Sequence, residues 1–207
     1  LESYVAFPAQ FGTVELGSDN FEFDQPRSQG TISKSIEVEV ENSGDRDLDF
    51  SSLQVSSSQF DVETVSSPDT IDAQSTGEVR VTVTASTSLD EGDYSFDGTA
   101  RASDASISNG DLDDTLEVEH ATELTVSSSS ASAGDIPIGE AGTAGVSVSE
   151  RLGYNRITGV EMDLIDGQSD WIDVTSSPAG SLSAGSSSTV GYEIQFPPAA
   201  DIGNEYT

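Results

Sequence analysis

The residues best suited to bind a ligand form an acidic cluster near the middle of the chain. Asp111, Asp113 and Asp114 follow Asn109-Gly110, and Asp104 lies just before them in the same predicted loop. Carboxylates at two-residue spacing beside a glycine turn are the hard oxygen ligands that Ca²⁺ prefers, although the bidentate glutamate and flanking helices of an EF-hand are missing. Two interpretations stay open: an acidic hairpin loop, which we expect, and a calcium site on Asp111, Asp113 and Asp114. No other cofactor is expected.

Groups for catalysis are scarce. His120 is the single histidine, and a triad or a histidine metal cluster needs partners that the sequence does not supply. No serine lies in Gly-x-Ser-x-Gly, no glycine-rich phosphate loop opens a helix, and cysteine is absent. Acidic pairs at glycosidase spacing can be drawn from any surface with 38 Asp and Glu residues. We expect His120 to be a packed or surface strand residue and the chain not to be an enzyme.

A second candidate site is the set of five aromatic residues in the first 23 positions, Tyr4, Phe7, Phe11, Phe21 and Phe23. Phe21 and Phe23 share one strand phase, which is typical of core residues. Three interpretations stay open for the set. They are burial in the core, contact with a preceding domain or neighbouring subunit through Tyr4, Phe7 and Phe11, and an aromatic platform for carbohydrate.

Charge restricts the partners. With 38 acidic and 7 basic residues the formal net charge is −31. The chain cannot assemble the basic face that nucleic acid and anionic membranes require. Such a surface repels itself in dilute buffer, whereas at molar salt the Debye length falls to roughly 3 Å and the repulsion is screened. The balance indicates a halophilic source, because regular runs of Val, Ile and Phe disfavour an acidic disordered tail. No segment is long and apolar enough to span a membrane.

An internal repeat of about 110 residues is the strongest pattern in the sequence. Ser66-Ser67-Pro68 and the alternating apolar residues up to Val83 return at Ser176-Ser177-Pro178 and the residues up to Ile194. The repeat also pairs Val40 with Val148 and Phe60 with Trp171, and it places Trp171 and Met162 in the core.

Each copy is a series of short strands with period-two alternation and Gly, Ser, Asp and Asn turns. No window keeps helical periodicity. The sequence therefore predicts an all-β fold of two tandem immunoglobulin-like β-sandwich domains, 1–120 and 121–207. One alternating phase from Leu116 to Val126 predicts that the last strand of the first domain, Thr115–His120, runs almost directly into the second domain.

The segment Phe11-Gly12-Thr13-Val14-Glu15-Leu16-Gly17 resembles the FG-x-V-x-x-G opening of Hydin/ASPM-type immunoglobulin-like domains, relatives of the major-sperm-protein fold. Val38–Gly44 and Ile71–Ser75 also fit that family, whereas the second copy lacks the opening and has Glu150-Arg151-Leu152-Gly153 in place of its Asn-x-Gly-like turn. The resemblance implies a scaffold or adhesion module without chemistry.

These observations predict an extracellular, non-catalytic structural module of a haloarchaeal cell surface, such as an envelope, filament or adhesin subunit. Its expected partners are other protein subunits or surface proteins, in a homo-oligomer or filament. A haloarchaeal virus spike and a carbohydrate-binding module of a secreted hydrolase are the alternatives. The second copy stops at Thr207, before the counterparts of the last strands of the first. We therefore expect the continuing polypeptide, or a strand such as Tyr4–Phe11 from a neighbouring subunit, to complete its sheet.

Overall fold

The computed structural model describes residues 8–18, 20–127, 132–137, 139–161, 171–176 and 180–195. These residues form β-strands and short 3-10 segments, among them Arg27–Gln29, with no α-helix in the described ranges, so the all-β prediction is confirmed. The chain divides into two compact units, Leu1–His120 and Ala121–Thr207, called unit 1 and unit 2. Within the described ranges, no helix is long and apolar enough to cross a membrane.

Unit 1 has nine strands. They are β1 (Phe11–Leu16), β2 (Asn20–Phe23), β3 (Thr31–Asn42), β4 (Leu48–Ser56), β5 (Phe60–Ser66), β6 (Thr70–Ile71), β7 (Ser75–Ser86), β8 (Gly92–Ala102) and β9 (Gly110–His120). The long strands alternate buried apolar residues with exposed Ser, Thr and acidic residues, which is the pattern of a sheet with one face against a core.

The strand order makes unit 1 an immunoglobulin-like sandwich. One sheet has the order β1-β3-β7-β5 and the other the order β2-β9-β8-β4-β6. The set β1-β3-β7-β5 against β9-β8-β4 is the arrangement of a seven-stranded immunoglobulin-type domain. Strand β2 extends the second sheet by pairing in parallel with β9, from Asn20 opposite Glu117 to Phe23 opposite His120.

Aromatic rings join the two sheets of unit 1. Phe60 on β5 is 5% exposed, and its ring centroid lies 5.7 Å from that of Phe21, 5.7 Å from that of Tyr94 and 5.1 Å from that of Phe96. Phe21 belongs to β2, and the other two residues belong to β8. Because these partners come from the opposite sheet, Phe60 is central to the core, as the sequence predicted.

Unit 2 repeats the architecture with shorter strands. They are β10 (Leu124–Val126), β11 (Ala141–Glu150), β12 (Ile157–Val160), β13 (Ile172–Ser176), β14 (Gly180–Leu182) and β15 (Ser187–Gln195). The sheet order β10-β11-β15-β13 reproduces β1-β3-β7-β5, and the pair β12-β14 reproduces β4-β6. Three residues, Ala121 to Glu123, separate β9 from β10, in line with the short connection expected from the sequence.

The strand register follows the sequence repeat. Val38 lies opposite Val79 in unit 1, and Val146 lies opposite Val190 in unit 2. Two residues further along the strands, Ile36 pairs with Val81 in unit 1 and Ala144 pairs with Tyr192 in unit 2, so the equivalence of the two units continues. The duplication seen in the sequence is therefore a duplication of register as well as of strand order.

One predicted equivalence is wrong in detail. Val62 pairs with Val83, and Ile172 pairs with Ile194, so Ile172 occupies the place of Val62. Trp171 therefore corresponds in register to Asp61 and not to Phe60. The side chain of Trp171 is half-buried, whereas that of Phe60 is buried. In the sequence repeat, the one-residue insertion of the second copy comes after β13. The match of Phe60 with Trp171 instead requires the insertion to come before β13. Met162 lies outside the described residues.

Candidate functional site

Three members of the acidic cluster, Asp111, Asp113 and Asp114, lie on a strand and not in a loop, which corrects the hairpin-loop expectation for them. β9 begins at Gly110, so Asp111, Asp113 and Asp114 are paired with β8 opposite Thr99, Asp97 and Phe96. Gly110, Leu112 and Leu116 are buried, so the alternation of buried and exposed residues that is typical of a strand begins at Gly110. Sequence propensity misled here because Asp and Gly favour turns when no partner strand is known.

Strand alternation separates the three proposed calcium ligands. Asp111 and Asp113 are exposed on the outer face of the sheet, whereas Asp114 has the same phase as the buried Leu112 and Leu116. The Oδ2 atom of Asp114 accepts a hydrogen bond of 2.9 Å from the backbone N–H of Leu16, and Oδ1 accepts one of 2.8 Å from Thr115 N–H. Asp114 therefore ties β9 to β1 of the opposite sheet, and the structure does not bring the three carboxylates together.

Asp111 and Asp113 instead join Asp97 around a shallow depression of about 500 Å³ on the outer face of β4, β8 and β9. Across the described ranges, no group of three or more His, Cys, Asp and Glu side chains has the geometry to hold a metal ion. The remaining member of the predicted cluster, Asp104, lies in the loop before β9. Its Oδ1 accepts hydrogen bonds from Ser106 N–H at 2.9 Å and Ser106 Oγ at 2.7 Å, and these bonds lower the pKa of Asp104.

The aromatic candidates are core residues wherever the structure describes them. Phe11 is 7% exposed and packs edge-on against Phe50 at a centroid distance of 6.5 Å. Phe21 and Phe23 are fully buried. Phe11 also pairs with Asn42 on β3, so it is neither an exposed contact for a second subunit nor a free donor strand. Tyr4 and Phe7 lie outside the described residues.

His120 is packed at the end of β9. Its side chain is 9% exposed, its ring lies 5.2 Å from that of Phe23, and Nε2 is 2.9 Å from the carbonyl oxygen of Leu89. The backbone N–H of His120 donates to Glu91 Oε1 at 3.0 Å. These contacts hold the loop before β8 against the end of β9, which is the packed role expected from the sequence.

The outer faces of unit 1 place like charges directly opposite one another. Glu39 on β3 lies between Glu15 on β1 and Glu78 on β7, so three carboxylates form one row across three strands. In the other sheet the like-charged pairs are Asp97–Asp113, Asp93–Glu117 and Glu22–Glu119. These residues are exposed, and like charges at opposed positions destabilise a sheet in dilute buffer.

Opposite charges are few on the same surface. Next to the glutamate row, Arg80 Nη2 lies 2.8 Å from Glu37 Oε1, and this hydrogen bond raises the pKa of Arg80. Lys34 Nζ lies 3.4 Å from Asp24 Oδ2, but Lys34 has the strand phase of the buried Ile32 and Ile36 and so does not belong to the face of the glutamate row. The sequence showed the alternation of acids along each strand. Whether acidic residues on neighbouring strands lie opposite each other depends on the register of strand pairing, which the sequence of one strand alone does not reveal.

A buried asparagine closes one end of unit 1. Asn42, the last residue of β3, is fully buried. Its Nδ2 donates to the carbonyl oxygens of Arg46, Ile71 and Asp72 at 2.8, 3.0 and 3.1 Å. Its Oδ1 accepts from the N–H groups of Gln10 and Gly44 at 3.3 and 3.0 Å. One amide thus satisfies backbone groups of three separate loops.

A buried glutamate occupies the same place in unit 2. Glu150 ends β11 opposite Leu124, as Asn42 ends β3 opposite Phe11, and it is 2% exposed. Its Oε1 accepts from Leu152 N–H at 3.0 Å, and its Oε2 accepts from Gly153 and Gly185 N–H at 2.7 and 2.6 Å. The sequence flagged Glu150 as a departure from the family turn but gave no sign of its burial.

Comparisons with known proteins give distant similarities only. No family model and no curated protein matches the chain. A secreted serine protease, VesC from Vibrio cholerae, is 9% identical with a TM-score of 0.33, and the match covers 94% of this chain and 48% of VesC. PapD-like domain 7 of human CEP192 is 17% identical with a TM-score of 0.32, covering 58% and 92%.

A third solved structure is the adhesin InvE from Yersinia pseudotuberculosis, which is 11% identical with a TM-score of 0.32, covering 87% of this chain and 50% of InvE. The chain thus spans about half of the length of the VesC and InvE chains. With scores at this level, the fold assignment rests on the strand order and register of the chain itself.

Proposed function

We propose that the chain is a non-catalytic structural module of an extracellular, haloarchaeal cell-surface assembly. The observation that carries the proposal is the opposition of like charges on the outer faces of a complete immunoglobulin-like sandwich, at Glu15–Glu39–Glu78, Asp97–Asp113, Asp93–Glu117 and Glu22–Glu119. A sheet built this way is favoured where salt screens its charges.

What the described side chains do supports the structural role. The buried aromatic residues of β1 and β2 hold the two sheets together and are not displayed as a carbohydrate platform. His120 packs against Phe23, and Asp114 joins two strands. The resemblance to Hydin/ASPM-type scaffold domains supports the same role. Other protein subunits or surface proteins are the partners that we propose.

The test of the halophilic part is a thermal melt of the chain between 0.1 and 3 M KCl. Relief of several like-charge pairs should raise the melting temperature by about 10 °C or more. The matched control carries Glu39→Gln, Asp97→Asn and Glu117→Gln, which removes one member of four opposed pairs. It should melt higher in dilute buffer and gain much less from salt. Equal gains in both proteins would show that the opposed pairs do not cause the salt requirement.

The test of the assembly part is sedimentation velocity in 3 M KCl over a wide range of protein concentration. Oligomers that grow with concentration are the expected result, because screening removes the repulsion between chains of net charge −31. A monomer at every concentration would overturn the proposed assembly while leaving the halophilic part intact.

A further inference from the structure

The two edges of the sheet β1-β3-β7-β5 differ in what covers their backbone groups. At β1, carboxylates cap the strand: Thr13 N–H donates to Glu41 Oε2 at 2.9 Å, and Leu16 N–H donates to Asp114 Oδ2 at 2.9 Å. A Cβ atom at Gly12 would collide with the Glu41 carboxylate, so this glycine leaves room for the first cap. A strand added at β1 would have to displace both carboxylates from their backbone donors.

At the opposite edge, β5 (Phe60–Ser66) pairs with β7 on one side and ends the sheet. Asp61 and every residue from Glu63 to Ser66 are exposed, and Val65 is 59% exposed. Over these residues, no carboxylate in the described part of the chain caps the backbone as at β1. Alternate N–H and C=O groups of an edge strand point away from its neighbour and can pair with another strand. β5 is therefore the edge of this sheet at which a strand can be added.

The charges of β5 select the kind of strand. On the outer face Asp61 lies opposite Thr84 and Glu63 lies opposite Thr82, so neither carboxylate has a cation opposite it on β7. The residues of an added strand would lie directly opposite Asp61 and Glu63, where basic side chains stabilise the pairing and acidic ones destabilise it. β5 itself contains no basic residue, so a second copy that paired through the same edge would bring carboxylates together. A basic strand from a different protein fits this edge better.

A depression beside Asp61 has room for a long basic side chain. It has a volume of about 320 Å³ and lies at the start of β5, where Ser57, Ser58 and Thr84 help to line it. Hydroxyl and carboxylate oxygens accept hydrogen bonds from lysine and arginine. Towards the other end of β5, the exposed Val65 offers an apolar contact.

We propose that the β5 edge of unit 1 binds an extended segment of a partner protein that has lysine or arginine at alternate positions. The backbone of the segment continues the ladder of β7 and β5, and its basic side chains face Asp61 and Glu63. An apolar residue of the segment contacts Val65. The site requires only one copy of the chain, so it is separate from the self-association that the sedimentation test addresses.

The test mixes the full chain with a synthetic peptide of the length of β5 that alternates lysine with valine, and follows amide hydrogen exchange along β1 and β5. The buffer contains about 1 M KCl, because the Debye length is then roughly 3 Å and the general attraction between the peptide and a chain of net charge −31 is screened. One control peptide carries glutamate in place of lysine. A second keeps the lysines and is methylated at every backbone nitrogen, which removes the donors of the ladder.

Two double variants of the chain are matched in charge. Asp61→Lys with Glu63→Lys reverses the charge of the proposed edge, and Glu15→Lys with Glu39→Lys makes the same change beside the capped edge. All four residues are exposed, and exchange of the β7 amides checks that each variant is folded.

We expect the lysine peptide to slow exchange of the β5 amides about tenfold or more, both in the parent chain and in the variant at Glu15 and Glu39. The glutamate peptide, the methylated peptide and the variant at Asp61 and Glu63 should each abolish the slowing. Slowing that persists in any of these three controls, slowing along β1 instead, or no slowing at all overturns the proposal. If the β5 amides of the chain alone become protected as its concentration rises, a second copy occupies the edge and the basic segment is the wrong partner.

Discussion

The two units use different polar side chains at the same corner. In unit 1 the amide of Asn42 faces mainly carbonyl oxygens, from Arg46, Ile71 and Asp72, and donates to them. In unit 2 the carboxylate of Glu150 faces three backbone N–H groups and accepts from all of them. The position requires a buried polar side chain, and the loops around it decide whether that group must donate or accept.

The loops differ in a matched way. Gln74 has φ of 55°, and its Nε2 donates to the carbonyl oxygens of Ser43 and Gly44. Its counterpart Gly185 has φ of 64° and turns its backbone N–H to Glu150 instead. Glycine adopts this conformation without strain, so unit 2 needs no side chain there beyond the carboxylate. The residues of this corner therefore differ together between the units. We expect that transferring a single residue from one unit to the other destabilises the unit that receives it.

The largest effect should come from the core contrast between the units. Phe60→Ala removes a buried ring that contacts three others and should lower the free energy of unfolding of unit 1 by about 3–5 kcal/mol. Trp171→Ala, at a half-buried position, should cost about 1–2 kcal/mol in unit 2. Hydrogen exchange of the β7 and β15 amides measures both. Equal losses of unfolding free energy in the two variants would show that Phe60 and Trp171 are equivalent positions, which the strand register contradicts.

Exchanging the polar group at the corner comes next. Asn42→Asp sets a carboxylate against three carbonyl oxygens and should destabilise unit 1 by about 3 kcal/mol. Glu150→Gln turns an amide N–H₂ toward backbone donors and should destabilise unit 2 by about 1–3 kcal/mol. Exchange of the β7 amides reports the first variant. Fluorescence of Trp171, the single tryptophan, reports the second during urea unfolding. A variant as stable as the parent would show that its corner tolerates either group.

The outer faces give a smaller, salt-dependent contrast. Glu39→Gln relieves two opposed carboxylates and should stabilise unit 1 by about 0.5–1.5 kcal/mol in dilute buffer, with the gain vanishing in 3 M KCl. Its neighbour Glu37→Gln breaks the pair with Arg80 and should have the opposite sign. In unit 2 the places of Glu39 and Glu78 are taken by Ser147 and Thr189. Ser147→Gln should therefore show no salt-dependent gain.

The smallest expected effect is that of chelation. Because Asp114 lies on the face opposite Asp111 and Asp113, EDTA at fixed ionic strength should leave the melting temperature of the chain unchanged. Asp113→Asn, which removes the charge opposite Asp97, should raise stability slightly in dilute buffer with or without calcium. A drop on chelation that disappears in the Asp113 variant would restore a cation at this face.

Alternation within one strand, and the equivalence of strands between the two copies, could be predicted from the sequence. The phases of β3, β7, β11 and β15 followed from two matched sets of alternating apolar residues. The register between these strands was not predicted and comes from the structure. The parallel pairing of β2 with β9 joins residues almost a hundred positions apart, and neither strand carries a local signal for it. The roles of Asn42 and Glu150 were hidden for the same reason, since polarity alone predicts exposure.

The β2–β9 pairing also sets a condition on synthesis. Residues made first, Asn20–Phe23, find their partners only when Glu117–His120 have left the ribosome. Until then Phe21 and Phe23, which are fully buried in the folded unit 1, lack the sheet against which they pack. Contacts between residues so far apart in the sequence form slowly, and the incomplete chain exposes apolar surface until they form. Self-repulsion of the acidic residues, which weakens the finished sheets in dilute buffer, keeps neighbouring nascent chains apart during that interval.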